Sequence, residues 1–139
     1  MSQFLRNLSL TFAAGCFGGL VHAYLVWYAG DMGIPKSFGV ALAPAWSLFY
    51  LYSRIVWGGI WGLMFMAPMW KSGFWTGVFS RGIIFSFLPT AFQLFYVFPV
   101  LQDKGMMGLA LGTLTPVFVC LFNAAWGICA GLWLHLNRA

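Results

Sequence analysis

The chain has 139 residues, of which 62% are hydrophobic and only 6% charged, and it carries a net charge of +5. An ordinary soluble domain carries roughly 25% charged residues, so this chain has too little polar surface to cover itself in water, and lipid is its expected solvent. Its seven basic residues stand singly between apolar runs, which excludes a nucleic-acid patch and marks them as topology signals.

Met1 to Asn7 is a short polar start carrying Arg6. The first apolar run, about residues 8–29, is long enough to cross a hydrocarbon core of ~30 Å. It exceeds the apolar stretch of a cleaved secretory signal, and no convincing A-x-A site follows it. Ala13-Ala14-Gly15-Cys16 faintly resembles a lipoprotein cleavage box, but apolar sequence rather than a polar tether comes next. A retained transmembrane helix is expected. At ~100° per residue, Thr11, Gly15, Gly18, Gly19, His22 and Ala29 share one face. Ala13, Phe17, Leu20, Tyr24 and Trp27 take the other. Glycines on one side let a second helix approach closely in lipid, and the final helix is the expected partner.

Gly30 to Pro35 reads as a turn. The stretch after it is too long for one crossing, is interrupted by Pro44 and carries Arg54 near its middle. A guanidinium at the bilayer centre costs at least ~2.5–3.5 kcal/mol. Arg54 is therefore expected at the membrane boundary, with residues 52–70 crossing and residues 38–51 forming an interfacial or re-entrant segment. Trp46, Tyr50, Tyr52 and Trp57 fit an aromatic belt there. Gly58 and Gly62 give this span its own close-packing face.

Lys71 to Arg81 is expected as a short basic loop, followed by a third span over residues 82–101. In that span Gly82, Ser86, Pro89, Thr90, Gln93 and Tyr96 share one side, and Ile84, Phe87, Leu88, Ala91, Phe95 and Phe98 the other. Pro89 should kink it, with Ser86 or a neighbouring helix satisfying the carbonyl that proline frees. After a turn at Gln102 to Gly105, a fourth span runs over about 110–134. Here Gly112, Pro116, Cys120, Asn123, Gly127 and Ala130, with Gly131 at the edge, oppose Leu114, Phe118, Leu121, Ala125, Ile128 and Leu132.

These elements predict an all-α polytopic membrane protein: a single integral domain over 1–139, folded as a four-transmembrane-helix bundle with an interfacial or re-entrant segment before the second span. Basic residues on the two sides are Arg6, Lys71, Arg81 and Arg138 against Lys36, Arg54 and Lys104. That margin of one puts both termini in the cytoplasm, in a bacterial inner membrane.

What is missing weighs against catalysis. There is no glutamate, and Asp31 and Asp103 both fall in predicted loops, so no membrane-embedded carboxylate is available as a proton carrier. Phosphate-cradling loops, HExxH and nucleophile elbows are absent. Cys16, Cys120 and Cys129 lie in apolar runs without a pairing pattern and read as reduced packing residues, so no metal site is expected.

The polar residues within spans are the candidate binding residues: His22, Gln93, Asn123, Thr90 and Ser86, with Arg54 at the outer boundary. His22, Gln93 and Asn123 fall within about 6 Å of the bilayer midplane at 1.5 Å per residue, which suggests one buried cluster. Such a cluster serves either as helix–helix glue or as a site for a solute, ion or redox partner. Three functions are therefore weighed. The first is an accessory or scaffold subunit that binds a membrane-protein partner or itself through Gly15, Gly18, Gly19, Gly58, Gly62, Gly127 and Gly131. The second is a homo-oligomeric channel or carrier using the His22, Gln93 and Asn123 cluster. The third is a haem- or quinone-binding redox subunit. His22 and His135 lie too far apart along the membrane normal for one chain to close a bis-histidine haem site, so that reading needs a second copy.

Overall fold

The structure, a computed structural model, describes residues 2–67 and 73–137. Among these residues it is all helical, and three helices are long and apolar enough to cross a membrane. Trp70, Lys71 and Arg138, to which the sequence gives anchoring and topology roles, lie outside the described residues.

Helix α1 (Gln3–Asp31) begins at Ser2, whose hydroxyl accepts from the Leu5 N–H at 3.2 Å. This cap starts the helix five residues before the apolar run. A short helix, α2 (Ile34–Ser37), replaces part of the expected turn. Residues 40–47 are then non-helical, consistent with Pro44. Ser47 caps α3 (Leu48–Gly62) by accepting from the Tyr50 N–H at 3.0 Å, and the last turn tightens to a 3-10 helix over Leu63–Met66. The helix in the expected second span thus begins at a hydroxyl cap at Ser47 rather than near Arg54. Arg54 lies about 9 Å inside the helix instead of at its end. With its 3-10 turn the segment is as long as the expected 52–70 crossing but starts four residues earlier, and it falls outside the three helices long and apolar enough to span.

Helix α4 (Trp75–Leu101) starts in what the sequence presents as a basic loop. Its first turns, Trp75–Ser80, and its last, Gln93–Leu101, have the wider π pattern, on either side of α-helix over Arg81–Phe92. This corrects two expectations. Arg81 is not a loop residue: it is buried on α4, with its guanidinium carbon 4.9 Å from the centre of the Phe65 ring. Phe98, placed on the lipid side by a 3.6-residue period, is also buried, because i→i+5 turns move the inward face to Ser86, Thr90, Leu94 and Phe98. The Ser86 hydroxyl donates to Ile83 O at 2.6 Å and so does not serve the carbonyl freed by Pro89.

A tight turn over Met106–Leu111 leads into α5 (Thr115–Leu136), which has proline in its first turn. Gly108 in that turn has φ 69°, and a Cβ there would lie 2.6 Å from Phe98, so both the dihedral and the space call for glycine. The turn is tied to the first inter-helix loop, whose Ala41 N–H donates to Leu111 O at 2.9 Å.

α5 is the central element, packed on both α1 and α4. Its burial extends beyond the predicted small-residue side: Phe118, expected toward lipid, is covered by Phe38 and Phe122. The glycine face of α1 meets α3 most extensively rather than α5. A Cβ on Gly15 would fall 2.8 Å from Gly62 Cα, and Gly19 and Gly58 meet in the same seam. Gly18 faces the Trp126 side chain. On α4, a Cβ at Gly82 would fall 2.6 Å from the Gly127 carbonyl carbon, and Gly131 packs on Gly77 and Val78. Below these contacts Ala14, Phe65, Phe85, Trp126, Ala130 and Leu134 form the main apolar core.

Candidate functional site

The antiparallel seams draw the helices together around the glycines, but toward the ends of α1 and α4 the side chains grow large. Trp57 and Trp61 on α3, Phe92 and Tyr96 on α4, and Trp126 on α5 stand there beside Gly19 and Gly58. Between them lies a cavity of about 410 Å³. That is a volume typical of sites for small organic ligands.

Most of the predicted site residues come together here. His22, Arg54, Gln93 and Asn123 all line the cavity, joined by Ser53 and Gln102. Asn123 is the hub. Its Nδ2 donates to Thr90 Oγ1 at 3.0 Å and reaches Gln93 Oε1 at 3.4 Å, while the Thr90 hydroxyl donates to Ser86 O at 2.7 Å. This chain explains how an amide is tolerated at the middle of α5: its donors are used across the α4–α5 contact. Gln93 Oε1 is engaged by Asn123, which turns the amide's own Nε2 into a donor for the cavity. Thr90 and Ser86 are the exceptions among the predicted residues: each hydroxyl donates to a carbonyl of its own helix, and neither residue lines the cavity.

His22 stands edge-on to Phe122, with ring centroids 6.3 Å apart, and shares the cavity wall with Arg54 and Asn123. His135 is exposed at the far end of α5 against Phe74, so the two histidines belong to opposite ends of the molecule. Arg54 lies on Tyr50, its guanidinium carbon 4.9 Å from the ring centre, and the Tyr50 hydroxyl donates to Ala23 O at 2.7 Å. The Arg54 Nε is buried and has no acceptor among the described residues. Asp31, at the end of α1, and Asp103, in the loop after α4, are the chain's two acidic residues, and both are exposed. No cluster of three or more His, Cys, Asp or Glu able to hold a metal ion occurs among the described residues.

Three comparisons with known proteins were made. No family model matches the chain, and neither curated proteins nor solved structures give a significant match. The functional reading therefore rests on the site itself.

The aromatic wall is what sequence reasoning missed. Trp57 reads as an interfacial anchor, and Trp61 and Trp126 carry no motif. Trp126 does leave a trace: it is a bulky residue beside the small side of α5. Its Nε1 donates to Gly15 O at 3.2 Å, which joins α5 to α1 at the cavity floor. Gln102 falls in a predicted turn, and only the tertiary arrangement brings it to the cavity.

Proposed function

We propose that this is an integral membrane protein that binds a small organic ligand in the cavity between α1, α3, α4 and α5. One observation carries the reading: four side chains able to hydrogen-bond, drawn from four helices, converge on one aromatic-walled cavity of ligand size. Helix–helix glue alone needs the Asn123–Thr90 bond, but it does not need His22, Arg54 and Gln93 around an open volume.

In this proposal α3 with its 3-10 turn is the fourth crossing, completing a four-helix bundle. Both termini face the cytoplasm of a bacterial inner membrane. With Arg54 and Arg81 set aside as residues well inside the α3 and α4 helices, the basic residues of the sequence that flank the spans are Arg6, Lys71 and Arg138 against Lys36 and Lys104, and the bias keeps its sign. The scaffold reading finds less support, because Gly15, Gly18, Gly19, Gly58, Gly62, Gly127 and Gly131 are all engaged within the chain and present no free docking face. A carrier role is the natural extension of a ligand site that reaches one membrane surface through Leu101 and Gln102. A redox role needs a cofactor spectrum.

Protein purified in mild detergent should release one small organic molecule per chain on solvent extraction. Ser53→Trp, which fills the cavity, should reduce that yield at least about tenfold while the protein still folds. Equal yields from both proteins would contradict the proposal.

A further inference from the structure

Arg54 fixes the chemical class of the ligand. The residue lines the cavity, carries a permanent charge and keeps its Nε without an acceptor. Its one close polarisable neighbour is the Tyr50 ring, which attracts a cation but leaves the charge uncompensated. Arg54 is half-buried, and a cation partly removed from water without a counter-charge is stabilised by one negative charge brought beside it. No carboxylate lines the cavity: the chain has no glutamate, and Asp31 at the end of α1 and Asp103 in the loop after α4 are both exposed.

The other walls specify what the anion is attached to. Trp57, Trp61 and Phe92 offer flat apolar surface, whereas the Gln93 amide and the His22 ring add polar contacts beyond the guanidinium. A small inorganic anion would leave that surface unused, and a doubly charged phosphate monoester would bring one negative charge more than the wall can match.

We infer that the cavity binds a singly charged organic acid, a carboxylate on an aromatic or aliphatic body, with the carboxylate on Arg54 and the body against the tryptophans. This rests on the ligand-binding reading above and adds the charge of the ligand to it. The acid has two possible sources, water or the bilayer. A flat water-borne acid and a fatty acid share the same head, and the test separates them.

The experiment uses the full chain in neutral detergent, with thermal stability and tryptophan fluorescence as readouts. The probes are 2-naphthoate, laurate, and the uncharged 2-naphthamide. Carboxylate binding is expected to raise the midpoint of unfolding, with 2-naphthamide at least about tenfold weaker than 2-naphthoate. Arg54→Gln should abolish the preference for the acid over the amide, and Arg54→Lys should retain part of it. Stronger binding of laurate than of naphthoate would assign the ligand to the membrane, and the reverse would assign it to water. Without ligand, Arg54→Gln should unfold no earlier than the native protein, because it removes an uncompensated charge. If it is destabilised and Asp103→Asn is destabilised equally, Asp103 neutralises Arg54 and the inference is overturned. If naphthamide and naphthoate bind alike, with or without Arg54, the acid is wrong but the binding cavity stands. If no probe binds the native protein more tightly than Ser53→Trp, both fail.

Discussion

The two ends of this bundle are built from the same helices by opposite rules. At the end that holds Gly15, Gly62, Gly82, Gly127 and Gly131, the helices approach until backbone meets backbone, and Phe65, Phe85 and Leu134 fill what is left, with Trp126 at the border between the two ends. At the other end Trp57, Trp61, Phe92 and Tyr96 hold the helices apart around a cavity. In lipid, where apolar surface gains little by leaving the solvent, close contact between backbones supplies much of the association energy. The closed end can therefore support the open end, and the open end is free to carry polar groups that add little to stability.

That contrast can be broken from either side. The largest effect should come from Gly82→Val, whose Cβ has no room beside the Gly127 carbonyl carbon 2.6 Å away. A loss of about 3 kcal/mol or failure to assemble is expected in denaturing-detergent titrations. A fully stable variant would mean that the α4–α5 seam is looser than described. Next, Trp126→Phe keeps an aromatic ring but removes the Nε1–H bond to Gly15 O, leaving that carbonyl only its helical donor, and should cost about 1 kcal/mol in the same titration. Asn123→Leu removes the bond to Thr90 and should cost about 0.6–1.7 kcal/mol, with a larger proportional loss of ligand. The smallest stability change belongs to the open end. Ser53→Trp adds the most volume of these variants, yet it should shift stability by no more than about 0.5 kcal/mol because it grows into empty space. If Ser53→Trp proves as damaging as Gly82→Val, the distinction between the ends is lost.

Much of the closed end was legible in the sequence. The period of small residues placed Gly15, Gly19, Gly127 and Gly131 on inward faces, since one step of ~100° per residue governs an undistorted helix. The pairing of those faces was not legible: glycine faces are interchangeable by composition, and the geometry chose α3 as the closest partner of α1. Where α4 widens into π turns the period itself fails, so Phe98 was misplaced while Thr90, ahead of the change, was not. Arg81 was misread for a related reason, since a lone arginine before an apolar run looks like a loop marker until Phe65 is seen beneath it. At the open end, depth counting brought His22, Gln93 and Asn123 to one level. No pattern announced the cavity, because a void is a property of spacing between helices and not of any one segment.

The account turns on one end being open and the other closed, and accessibility of single thiols measures this directly. In a chain with Cys16, Cys120 and Cys129 replaced by alanine, Val97→Cys on the cavity wall should react with a membrane-impermeant thiol reagent in proteoliposomes. Ala130→Cys, fully buried in the core of the closed end, should not. Labelling of Val97→Cys at least tenfold faster is the predicted result. Equal rates at the two positions would contradict it.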